Sequence, residues 1–137
     1  NPNAGLLFDS GMLYGTTTRG GKAHCGEGCG TVFALNPTTG KTKDVYRFRS
    51  RADGFDPEGG LVIAHGLLYG TTLEGGTRKS GTLFSIDLSS HAKATLHDFK
   101  FPAGNAPGTL VEFDGSLFGT THGGGASGQG TVFKYTP

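Results

Sequence analysis

The pentapeptide LYGTT at 13–17 returns as LYGTT at 68–72 and as LFGTT at 117–121. Two residues after each copy stands a Gly-Gly pair: Gly20-Gly21, Gly75-Gly76 and Gly124-Gly125. A second strand signal follows each pair, GTVFAL at 30–35, GTLFSI at 81–86 and GTVFKY at 130–135. Upstream of each LYG or LFG lies a shorter apolar stretch ending in a turn: GLLFDSG, GLVIAHG and TLVEFDG. The first two copies are followed by a fourth run, KDVYRF at 43–48 and KATLHDF at 93–99. Proline-containing loops, FDPEGG at 55–60 and NAPGT at 105–109, lead into the next copy, and NPNAG at the start reads as the tail of the same loop. A threefold repeat constrains the fold more than any composition does. Each unit must be one supersecondary element that buries its faces against its neighbours.

Four strand-like runs per unit, at a period of about 50 residues, is the pattern of a β-propeller blade. Within the runs, Val32 and Ala34 face one way and Phe33 and Leu35 the other. Both sets are apolar, as expected of a sheet covered on both faces. Asp9-Ser10-Gly11 and Asp114-Gly115 suit tight hairpins, because these residues tolerate positive φ. The 26 glycines fall at regular places among Leu, Val, Phe and Tyr, which argues for short strands and turns rather than a linker. No run has useful helical periodicity. The expected fold is all-β: three antiparallel blades, four-stranded except that the third stops after GTVFKYTP and lacks its last strand. The units run approximately 1–55, 56–105 and 106–137 within one repeat domain. Three blades less one strand do not close a ring. The chain is therefore expected to be part of a longer array or one half of an oligomeric ring, its partners being further repeats or a second copy.

The LYGTT-x-x-GG…GTVF signature resembles the GloVer (Gloeo/Verruco) repeat, which occurs in tandem in bacterial "choice-of-anchor" proteins. The resemblance spans nearly the whole chain. It implies a secreted or surface-anchored bacterial protein, and it brings no known activity or catalytic residues. No anchor follows Pro137, so the expectation is a fragment or an unanchored relative. An extracellular or cell-surface location follows from the resemblance.

Several residues are candidates for chemistry. The Thr pairs Thr16-Thr17, Thr71-Thr72 and Thr120-Thr121 would either line a rim that hydrogen-bonds a glycan or satisfy turn backbone. What repeats in every blade usually builds the blade. Thr17, Thr72, Thr121 and the loop residue His122 are retained as a possible ligand-contacting rim. Tyr14, Tyr69 and Phe118, with Phe33, Phe84 and Phe133, could stack on sugars, but packing between blades is the stronger reading. The absence of Trp counts against a lectin. Asp53, Asp56 and Glu58 could offer oxygens to calcium, yet the matching loop PAGNAPGT has no acid and no EF-hand spacing is present. No HExxH, nucleophile elbow or phosphate-binding GKS or GKT occurs. No cofactor and no metal is expected. A net charge of +1 gives no field for nucleic acid, and no apolar run approaches a membrane span.

Both cysteines lie in KAHCGEGCGTVF, residues 22–33. Between the Gly-Gly pair and the next GT, units two and three have four residues and unit one has eight, so the cysteines sit inside or beside an insertion. A zinc site would need ligands beyond Cys25, Cys29 and His24, and the CxxC spacing is absent. An even cysteine count in a chain resembling secreted ones points to a Cys25–Cys29 disulfide. The leading functional expectation is a secreted, non-catalytic propeller module acting as a scaffold or binding surface for an extracellular glycan or protein. An oligomeric carbohydrate-binding lectin is the alternative, with a glycan hydrolase or lyase ranked below it.

Overall fold

A computed structural model describes Pro2 and residues 4–21 and 25–137. Three antiparallel sheets follow one another along the chain. The first contains β1 (Leu7–Asp9), β2 (Met12–Thr17), β3 (Thr31–Leu35) and β4 (Thr42–Arg47), in that spatial order. The second contains β5 (Val62–Ala64), β6 (Leu67–Thr72), β7 (Thr82–Asp87) and β8 (Lys93–Asp98), likewise in order. The third has three strands, β9 (Asn105–Phe113), β10 (Ser116–Gly123) and β11 (Thr131–Tyr135). The four, four and three strands expected from the repeat are present, and a single 3-10 turn at Arg51–Asp53 is the one helical element among the described residues.

The inner hairpins turn on two residues with positive φ: Ser10-Gly11, His65-Gly66 and Asp114-Gly115. That is the geometry of a type I′ turn, whose twist matches the flanking strands. His65 (φ 50°) thus holds in unit two the position that Ser10 and Asp114 hold elsewhere.

Each blade has a front, toward the next blade, and a back, toward the previous one. Phe84 on the back of blade two meets Phe48, which follows β4, with ring centroids 5.3 Å apart. Phe133 on the back of blade three meets Phe99, which follows β8, at 4.9 Å. Around these contacts lie two apolar cores. One joins Val32, Ala34 and Phe48 of the first repeat to Leu61, Leu68 and Ile86 of the second. The other joins Tyr69, Leu83 and Phe99 to Leu110 and Leu117. Only the middle blade is covered on both sides: Leu83, Phe84, Ser85 and Ile86 are all buried on β7, whereas Val132 at the Leu83 position of β11 is exposed.

The glycine of each LYGTT stands directly opposite the Phe of the second signature: Gly15–Phe33, Gly70–Phe84 and Gly119–Phe133. The Phe ring lies across the glycine, together with Leu6, Leu61 or Leu110 of the innermost strand region. The two halves of the repeat signature are therefore one packing unit.

Candidate functional site

The Gly-Gly loops and the loops between blades share one end of the molecule. Backbone chemistry binds them together. The Gly76 N–H donates to the Arg51 carbonyl at 2.8 Å, and the Gly125 N–H donates to the Pro102 carbonyl at 2.7 Å. A Cβ on Gly75 would stand 2.4 Å from the Arg51 carbonyl oxygen, so only glycine lets the two backbones approach. These N–H groups are committed to the frame and are not a phosphate cradle.

The repeated threonines are committed in the same way. Thr72 Oγ1 donates to the Glu74 carbonyl at 2.9 Å and accepts from the Thr82 N–H at 3.1 Å and from the Thr82 hydroxyl at 2.9 Å. Thr121 repeats this set with Thr131 and the Gly123 carbonyl, and Thr17 Oγ1 pairs with Thr31 Oγ1 at 2.8 Å. Thr72 and Thr121 are buried. The hydroxyls of the rim candidates Thr17, Thr72 and Thr121 thus all have partners within the frame. All three hydroxyls pair across the last ladder position of a central hairpin, and those of Thr72 and Thr121 also take the N–H of Thr82 and Thr131 where the strands part. His122, next along from Thr121, is exposed.

Cys25 and Cys29 form a disulfide with a Cα–Cα distance of 5.2 Å. Cys29 is fully buried in the core between blades one and two. Its carbonyl accepts the Asp56 N–H at 3.3 Å, as the Ser80 carbonyl accepts the Ala106 N–H at 2.9 Å. Cys29 therefore occupies a frame position that Ser80 fills in unit two, and the bridge ties the inserted loop to that frame. The possible zinc ligand His24 lies outside the described residues.

A buried charge cluster lies between blades one and two. Asp53 receives Lys93 Nζ at 2.9 Å, the Tyr46 hydroxyl at 2.8 Å and the Arg49 N–H at 3.1 Å. Lys93 also donates to the Asp53 carbonyl and lies over the Phe48 ring, 5.6 Å from its centroid. Its side chain is 3% exposed. Burial acts to raise the Asp53 carboxyl, but the bonds from Lys93, Tyr46 and Arg49 outweigh it and hold it below the usual range. Burial and the Asp53 carboxylate push the Tyr46 phenol well up. Asp53 is thereby engaged in a strut from the interblade loop to β8. Asp56 (φ 62°) has its carboxyl raised by burial, partly offset by Arg19. Among the described residues no three His, Cys, Asp or Glu side chains converge as a metal site. The calcium reading of Asp53, Asp56 and Glu58 accordingly finds Asp53 paired with a lysine instead.

Arg19 and Arg51 both place guanidinium groups over the buried Phe55 ring, at 5.3 and 4.8 Å from its centroid. Beside them opens a cleft of about 270 Å³, lined by Arg51, Ala52, Glu74, Gly75-Gly76, Thr77 and Lys79. The arrangement offers cationic and anionic side chains at a solvent-open cleft, suited to holding a polar ligand. Sequence reasoning missed this cluster. Arg51, Glu74 and Lys79 do not repeat between units, and only folding brings the interblade loop onto the Gly-Gly loop.

A family model described as the Gloeobacter/Verrucomicrobia repeat matches residues 1–137. No curated protein matches the sequence. Among solved structures, TolB from Acinetobacter baumannii is similar in fold, with a TM-score of 0.58 at 10% identity over 93% of this chain and 27% of TolB. A candidate 6-phosphogluconolactonase from Bacteroides fragilis aligns with a TM-score of 0.49 at 15% identity, over 92% of this chain and 37% of its own. The chain thus spans well under half the length of either, and the likeness to TolB is one of fold alone.

Proposed function

The chain belongs to the Gloeobacter/Verrucomicrobia repeat family, and from that membership we propose that it serves as an extracellular, non-catalytic β-propeller module whose Gly-Gly end is a binding surface. One observation carries this reading. The repeated residues are consumed by the frame, while the unrepeated charged residues Arg51, Glu74 and Lys79 border a cleft at a single end. A rigid scaffold presenting variable loops is the usual arrangement of a binding module. The Cys25–Cys29 bridge supports an oxidising location, since disulfides persist outside the reducing cytosol.

The test is a glycan array probed with the labelled chain, followed by the paired variant Arg51→Ala/Lys79→Ala and a control at the opposite end, Lys41→Ala/Lys43→Ala. Binding lost with the first pair and kept with the second supports the reading. A repeated sugar class among the hits makes the module a lectin. Binding insensitive to the first pair, or turnover of an arrayed glycan, overturns it.

A further inference from the structure

The large exposed apolar side chains of this molecule lie chiefly on its two end faces. On the front of blade three, Val111 is 62% exposed, Phe113 71% and Val132 77%. On the back of blade one, Leu6 is 51% exposed and Phe8 66%. Strand register identifies their counterparts inside the molecule. Val132 lies opposite Thr120 as Val32 lies opposite Thr16 and Leu83 opposite Thr71. Val32 and Leu83 are 0% and 1% exposed because the next blade covers them. Leu6 sits over Gly15 as Leu61 and Leu110 sit over Gly70 and Gly119. Leu61 and Leu110 are 6% and 2% exposed because the previous blade covers them.

Other features of the junctions recur in part. Thr71 Oγ1 donates to the Gly108 carbonyl of the following repeat at 2.7 Å at the second junction, a bond that its counterpart Thr16 does not make at the first, and Thr120, the counterpart on blade three, is exposed. Pro57 and Pro107 pack against Gly30 and Gly81 of the preceding repeat. Gly130 holds the same left-handed conformation (φ 103°) on blade three, and Pro2 holds the proline position ahead of blade one. The front of blade three and the back of blade one are thus the two halves of an interface already made twice within the chain.

We propose that these faces bind a second copy of the chain head to tail, the front of blade three receiving Pro2, Leu6 and Phe8 of the other copy. The end faces continue the apolar part of the internal interface, and a second copy presents the surfaces that cover the inner blades. Two such junctions related by a twofold axis join two sets of three blades in one ring, within the range of propeller sizes. The inference stands apart from the binding role of the Gly-Gly end and does not depend on it.

Light scattering on the 137-residue chain at micromolar concentration should give twice the monomer mass of 14.1 kDa. Two variants read the polarity of the contact: Leu6→Glu/Phe8→Glu on the back and Val132→Lys on the front. Head-to-tail pairing predicts that each alone loses at least tenfold in dimer affinity, with the β-sheet circular dichroism of the monomers retained. A photo-crosslinking residue at Phe113 should label residues 2–13 of the other copy. A monomeric parent chain overturns the proposal. So does a variant of one face that stays fully dimeric, or crosslinks that map to residues 105–135 of the other copy, since either shows like faces pairing.

Discussion

Gly70 on β6 and Phe84 on β7 are directly opposite, and a Cβ on Gly70 would lie 2.5 Å from Phe84 Cζ and 2.8 Å from Leu61 Cδ2. The ring and the leucine close over the bare backbone, and blade one packs on the result. Gly70→Ala therefore overpacks a covered site. We expect a loss of about 1–3 kcal/mol in denaturant unfolding. Gly5→Ala, with no atom within 4 Å of the added Cβ, should stay within about 0.5 kcal/mol. Equal effects of the two would refute the packing account.

The hydroxyl of Thr72 serves three partners in a buried site. Thr72→Val keeps the shape and strands the Thr82 N–H. A cost of about 1–3 kcal/mol is expected, measured as a shift of the urea midpoint at constant slope. Thr120→Val, whose side chain is exposed on β10, should cost far less in the same measurement.

Removing the Cys25–Cys29 bridge should cost about 1–2 kcal/mol, because it closes a short loop. Cys29→Ser should cost more than Cys25→Ser, since Cys29 is a buried core residue and Cys25 is partly exposed. Thiol titration of the native protein should find no free thiol, and the same protein reduced and unfolded should give two.

Lys93 and Asp53 link the second blade to the loop after the first. Because the folded state lowers the Asp53 pKa, the contribution of this carboxylate is present above the ordinary Asp value of about 4 and is lost as pH falls through the folded value. Unfolding stability should thus fall with acid below about pH 4, and Asp53→Asn should flatten that part of the curve. The raised Tyr46 phenol acts at the other limb: its contribution holds below about pH 10 and is lost as pH rises further. Tyr46→Phe should remove that alkaline dependence. Lys93→Met should cost about 1.5–3 kcal/mol at neutral pH, from the lost charge-assisted bonds.

Much of the fold was legible because the repeat states it three times. LYGTT and GTVF mark adjacent strands, and their fixed spacing dictates a hairpin whose glycine and phenylalanine meet. The incomplete third sheet was visible in the same way, from the run that GTVFKYTP does not supply. The candidate site was far less legible. The partners of the Thr17, Thr72 and Thr121 hydroxyls were not legible, because a sequence does not show where the strands part or which hydroxyls meet there. Cys29 looked like part of an insertion because alignment by spacing does not show that its carbonyl holds Asp56 as Ser80 holds Ala106.

What the chain's own order of residues determined is the blade: strand alternation, type I′ turns and the glycine under each phenylalanine are local or one-hairpin matters, set by sterics between near neighbours. What only the tertiary structure decided is how the blades meet. Lys93 reaches Asp53 across forty residues, Phe48 meets Phe84 across a blade boundary, and Arg51 borders the Gly75-Gly76 loop. These contacts depend on the stacking of whole sheets. Stacking also gives like residues unlike surroundings, so that Val32 and Leu83 are buried while Val132 faces solvent.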